Sequence, residues 1–193
     1  MPKIELRRFN TIGGKEQRHA MSALDSGFPL SGYLGGEINR GPWVHSLESL
    51  WCQTFGCTHA IAVNSATSGL LAACHAVGVQ GEQVLVSPYT MSATAAAPAF
   101  LGANIEFIDV EAEHYCIDLY LIAKKFSTRH ERPKAVIATN LFGHPAQLKS
   151  IAQLCHAGNA YLIEDNAQAP FAQEDGSYAG TIGDIGVFSL NVH

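Results

Sequence analysis

Between residues 59 and 189, short apolar runs alternate with stretches of helical periodicity, and this alternation constrains the fold more than any other feature of the chain. His59–Val63, Gln83–Val86, Asn104–Val110, Lys134–Thr139, Ala160–Glu164 and Ile185–Ser189 read as six strands. Between them Thr67–Val77, Met91–Leu101, Asp118–Phe126 and Ala146–Ala157 read as helices, with Asp118 as the N-cap of the third. An earlier helix is expected over Pro42–Phe55, where Trp43, Leu47, Leu50 and Trp51 recur at helical spacing and Gly56 supplies a stop. Strand, helix, strand at this spacing predicts an α/β three-layer sandwich, a mostly parallel sheet with helices on both faces. Ala135-Val-Ile-Ala-Thr139 is apolar on successive residues, as a strand covered on both sides must be. In such a sheet a ligand sits beyond the carboxyl ends of the strands.

Of the 193 residues, 47% are hydrophobic and only 15% charged, which favours a folded domain over a disordered chain. Twelve basic against seventeen acidic residues give a formal charge of −5, so nucleic acid and anionic membrane are not expected partners, and any phosphate site must be local. No run reaches the ~18 apolar residues of a membrane span, and MPKIELRRFNTIGG lacks the apolar core of a signal peptide. The five cysteines form no C-x-x-C pair, and an odd count without a framework points to a reducing compartment. A cytoplasmic protein is expected. Residues 1–42, with the loop-like Ser31-Gly-Tyr-Leu-Gly-Gly36, read as an N-terminal arm and loop, and residues 43–193 as the main domain.

Three segments carry possible chemistry. Val63-Asn-Ser-Ala-Thr-Ser-Gly69 leaves a strand and opens a helix: its small residues and free N–H groups suit an anion, and Asn64 or Ser65 equally suits an ordinary helix cap. It is neither a dinucleotide fingerprint nor a Walker loop. In Tyr161-Leu-Ile-Glu-Asp-Asn-Ala-Gln168 two acids end a buried strand, where a carboxylate can pair with a cationic ring nitrogen, bind a metal or cap the next element. In Gly180-Thr-Ile-Gly-Asp-Ile-Gly-Val-Phe-Ser189 the glycines indicate tight turns before a core strand that ends on Ser189. The nine histidines are scattered without ligand spacing, so no metal site is expected, and no G-x-S-x-G elbow supports a serine hydrolase.

Taken in order, SGYLGG, GPWVHSLESLWCQTFGCTHAIAVNSATSGL, EQVLVSPYTMSATAAA, NIEFIDV, KAVIATNLFGHPAQL, AYLIEDNAQAPFA and GTIGDIGVFSLNVH resemble the DegT/StrS sugar aminotransferases from about Ser31 to His193. The resemblance implies a fold-type I domain binding pyridoxal 5'-phosphate (PLP), incomplete at its C-terminus and without the family's C-terminal small domain. By resemblance, Asp165 pairs with the pyridine nitrogen, so that the ring acts as an electron sink. Gln168 lies beside the ring hydroxyl. Ala66 and Thr67 form the phosphate-binding turn, and Ser189 donates to the phosphate. Met91 stands where the family usually stacks an aromatic residue on the ring, with Tyr89 nearby. The Schiff-base lysine falls five residues after Ser189, immediately beyond His193, so the chain itself holds no catalytic residue. A lysine already bonded to PLP at that point is expected, rather than a true fragment. The implied reaction moves an amino group from an amino acid, glutamate or glutamine, to a nucleotide-linked keto sugar in a homodimer. Alternatives within the family are a sugar dehydratase with histidine in the lysine's place and a non-catalytic PLP-binding regulator. Tyr33 is a candidate substrate contact, and for His144, after Thr139-Asn-Leu-Phe-Gly143, loop packing is preferred.

Overall fold

The computed structural model describes residues 12–28, 30, 33–34, 37–38, 41–128 and 132–191. These divide into two compact units, one holding residues 12–62 and Asn191, the other Val63–Leu190. In the first unit, helix α1 (Gly14–Asp25) lies within the stretch read as arm and loop, and a two-stranded antiparallel pair, β1 (Tyr33–Leu34) with β2 (Glu37–Ile38), follows it. The sequence hides α1 because none of its side chains is buried; Glu16 caps it by accepting from the Gly13 N–H at 2.8 Å. Helix α2 (Gly41–Phe55) ends as expected at Gly56, whose φ of +69° suits glycine. The buried Glu48 of α2 accepts from the Ala62 N–H, which ties the chain after α2 to this unit. The two compact units divide after Ala62.

The second unit runs α3 (Ala66–Val77), β3 (Gln83–Val86), α4 (Ser92–Phe100), β4 (Asn104–Phe107), α5 (Leu119–Ser127), β5 (Ala135–Thr139), α6 (Leu148–Gly158), β6 (Tyr161–Asn166), the short pair β7 (Gln173–Glu174) and β8 (Ser177–Tyr178), and β9 (Ile185–Phe188). The main sheet has the order β4-β3-β5-β6-β9, with every neighbouring pair parallel. Strand residues alternate between two cores, as the two-residue period requires. Val84, Val86, Ala135, Ile137, Ile163 and Val187 face Leu70, Cys74 and Val77 of α3 and Ala97 of α4. Leu85, Val136, Ala138 and Leu162 face Ile122 of α5 and Leu148, Ile151 and Cys155 of α6. Helices thus cover both faces, as the alternation of elements predicts.

Two strand expectations need correction. His59–Val63 forms no strand among the described residues: Ile61 and Val63 are 71% and 48% exposed, and the run has no ladder partner. The strand expected to reach Val110 stops at Phe107, because Asp109 turns the chain by accepting from the Val110 N–H, and Val110 bridges Ile117 instead. The β7–β8 hairpin escaped the sequence reading although Asp175-Gly176, both at positive φ, is a recognisable turn signal.

Candidate functional site

Parity along β6 decides which acid does what. Asp165 shares the face of Ile163 and points toward α3 and α4; Glu164 shares the face of Leu162. Asp165 is 3% exposed, and its Oδ2 accepts from Thr94 Oγ1 of α4 at 2.7 Å. Thr94 Oγ1 lies 2.8 Å from Thr90 Oγ1, which in turn accepts from Thr139 Oγ1 at 3.2 Å. The other carboxylate oxygen accepts from the Ala167 N–H at 3.2 Å. Burial pushes the Asp165 carboxyl above its usual range, and the hydrogen bonds from Thr94 and Ala167 pull the other way. No cation is paired with it among the described residues.

The start of α3 lies on the same face. Ser65 caps the helix, its Oγ accepting from the Ser68 N–H at 3.1 Å, so the capping reading is realised at Ser65 and not at Asn64. The N–H groups of Ala66 and Thr67 fall outside the helix's own bonding, as first-turn amides must. Helix α3 packs on β9 and β6, and Gly69 makes the close approach: a Cβ there would sit 2.9 Å from Val187 Cγ1. Ser189 follows directly after β9, half-buried. The exposed Thr67 and the half-buried Ala66 thus open toward the carboxyl edge where β6 and β9 end.

Met91 is the N-cap residue of α4, 69% exposed, three residues before Thr94. Gln168 is exposed in the turn after β6, and its carbonyl accepts from the Gly143 N–H. Tyr33 lies in β1, and its side chain is outside the described residues, as are His193 and its surroundings. His144 stacks face to face on His114 with ring centroids 3.6 Å apart. Sequence reasoning missed Thr90, Thr94 and Thr139. The available signal was the i, i+4 spacing of Thr90 and Thr94 at a helix start beside a strand-end acid.

Pyridoxal 5'-phosphate presents a basic ring nitrogen, which is cationic when protonated, at one end and a phosphate dianion at the other. A buried carboxylate without a cationic partner among the described residues and a hydroxyl-rich helix start match those two ends in charge, so the residues present fit the group. Among the described residues no cluster of His, Cys, Asp or Glu could hold a metal ion.

A parallel sheet of this order, covered by helices on both faces, is the α/β fold of PLP-dependent aminotransferases. The crystal structure of 3-amino-5-hydroxybenzoic acid synthase superposes on 97% of this chain and 46% of its own with a TM-score of 0.83 and 25% identity. An aminotransferase from Streptoalloteichus hindustanus superposes on 94% of this chain and 47% of its own with a TM-score of 0.79 and 28% identity. The model of the DegT/DnrJ/EryC1/StrS aminotransferase family matches residues 33–192, and the chain belongs to that family. It is 29% identical over 181 residues to GDP-perosamine synthase of Escherichia coli O157:H7, covering 93% of this chain and 47% of that protein. It is 36% identical over 146 residues to UDP-N-acetyl-3-dehydro-alpha-D-glucosamine 3-aminotransferase of Acidithiobacillus ferrooxidans, covering 75% of this chain and 39% of that protein. The chain spans less than half the length of these curated relatives.

Proposed function

We propose that this chain is the cofactor-binding part of a PLP-dependent aminotransferase that moves an amino group from glutamate or glutamine to a nucleotide-linked keto sugar. The observation that carries the reading is Asp165, a buried carboxylate with hydrogen-bond donors but no cation among the described residues, on the sheet face toward which α3 starts. When bound, PLP supplies an electron-withdrawing ring that carries the amino group between donor and acceptor. Asp165 holds a proton on the ring nitrogen by offering it a desolvated negative charge. The Ala66 and Thr67 N–H groups and the Ser189 hydroxyl bind the phosphate. With PLP bound, the Met91 thioether would pack on the ring and Gln168 would hold the ring hydroxyl. The lysine that bonds the cofactor and moves the proton is placed immediately beyond His193, and the small domain C-terminal to it. Tyr33 is a candidate contact for the sugar.

No described helix is long and apolar enough to cross a membrane, and five free cysteines, three of them buried, fit a reducing compartment, so we place the enzyme in the cytoplasm. We further propose that it works as a homodimer. The test is borohydride reduction of the full-length protein with PLP, followed by peptide mass spectrometry across the segment that follows Ser189. A reduced PLP adduct on a lysine next to His193, with amino transfer to a nucleotide-linked keto sugar, is the expected result. PLP that binds but is not fixed by borohydride would favour the histidine-based dehydratase, and no PLP binding would end the cofactor reading.

A further inference from the structure

Glu164 is a fully buried acid that the chemistry above does not use. Its neighbour Asp165 faces the cofactor side, so Glu164 points into the opposite core, toward α5 and α6. There its two oxygens take three backbone donors from one turn. Oε2 accepts from the Gly180 N–H at 2.5 Å, and Oε1 accepts from the Ile182 and Gly183 N–H groups at 2.8 and 2.5 Å. Asp184 adds a second tie to the same strand, exchanging bonds with Leu162 through its Oδ2 and its own N–H. Burial pushes the Glu164 carboxyl up, and the three N–H groups oppose that shift.

The turn is in turn seated on β9 with no space to spare. A Cβ at Gly186 would lie 2.1 Å from the Gly180 carbonyl oxygen. A Cβ at Gly180, whose φ is +91°, would lie 2.2 Å from the Phe188 ring. Phe188 is the residue before Ser189. In register, Glu164 stands opposite Gly186, Asp165 opposite Val187 and Asn166 opposite Phe188.

We propose that Glu164 is a positioning residue for the phosphate end of the cofactor: it locks the Gly180–Gly183 turn, the turn locks Gly186 and Phe188, and these set where Ser189 presents its hydroxyl. This rests on the cofactor reading of Ser189. It also gives the G-x-x-G-D-I-G segment a reason: each glycine lies where backbone meets backbone or an aromatic ring, and the acid across the ladder supplies the acceptors.

The test compares PLP with pyridoxal, which lacks the phosphate, in binding titrations on the full-length protein. Glu164→Gln keeps one acceptor oxygen for Ile182 and Gly183 but turns an NH₂ group toward the Gly180 N–H. It is expected to weaken PLP binding about tenfold, the order of one charge-assisted hydrogen bond, while changing pyridoxal binding less than about twofold. Glu164→Asp, which keeps the charge on a shorter arm, should show the same selective loss and serves if the glutamine variant folds poorly. Ser189→Ala alone should reduce the preference for the phosphorylated form to what the Ala66 and Thr67 N–H groups supply, and adding Glu164→Gln to it should reduce it no further. Equal weakening of both ligands, or no change in either, overturns the positioning role while leaving the cofactor reading intact. If Ser189→Ala keeps the full preference, the reading of Ser189 fails and the proposal falls with it.

Discussion

Thr94 donates to Asp165 Oδ2, so its single proton is committed, and it must accept from Thr90, which accepts from Thr139. The relay therefore runs in one direction, Thr139 to Thr90 to Thr94 to Asp165, and every hydroxyl in it stabilises the ionised carboxylate at its end. Burial opposes that ionisation, so the hydroxyl matters most where the charge is needed. Thr94→Val removes the donor and keeps the shape. It is expected to lower kcat for amino transfer about tenfold or more, the scale of one hydrogen bond to a charged group, with a smaller effect on KM. Thr94→Ser, which restores the hydroxyl, should recover most of the rate. A valine variant with wild-type kcat would show that the relay does not act on Asp165. Asp165 was legible in the sequence as an acid ending an apolar strand. Thr94 was not, because its role depends on which face of α4 meets which face of β6, and a one-residue change in register would have turned it away.

At the scale of elements, the ends marked in the sequence by Asp118 and Gly56 stand where they were read. Asp118 caps α5, accepting from the Tyr120 and Leu121 N–H groups at 2.7 and 3.1 Å, and Asn159 ends α6 in the left-handed conformation. Asp118→Ala leaves those two amides without an acceptor and is expected to destabilise the fold by about 1 kcal/mol, measured by urea unfolding, with no change in PLP binding. A loss of PLP binding at equal stability would place α5 closer to the cofactor than the fold does. Strand β5 was legible because burial on both faces makes successive residues apolar, as in the fully buried Ala135–Thr139, where only the last residue is polar. His59–Val63 was misread for the converse reason: an apolar run identifies a strand only when a neighbour supplies the ladder, and periodicity cannot say whether one does. Helix α1 was missed because an exposed helix has no apolar stripe to announce it.

For the molecule as a whole, two adjacent acids on β6 make the stability of the cofactor-free protein depend on pH in an unusual direction. Burial raises both Asp165 and Glu164 above their ordinary values of 3.8 and 4.5. In the window between those values and the folded-state ones, the folded chain holds more protons than the unfolded chain. These two groups therefore favour folding most at a pH below the unfolded values, and their contribution is lost as pH rises through the folded ones. Paired or capped surface carboxylates act in the opposite sense, so the total curve mixes both signs, and a variant isolates the buried term. Asp165→Asn cannot ionise, and it is expected to be more stable than wild type above the folded value of Asp165 and to lose that advantage on acidification. The gain fits a site residue held in a state that costs stability for the sake of its ligand. Saturating PLP should reverse the order at neutral pH, since a ring cation beside Asp165 compensates the buried charge only where that charge exists. The check is urea unfolding of both proteins from pH 4 to 8, with and without PLP. A difference between them that does not change with pH would mean that Asp165 is not the desolvated carboxylate described here. A difference that PLP leaves untouched would mean that its partner is not the cofactor.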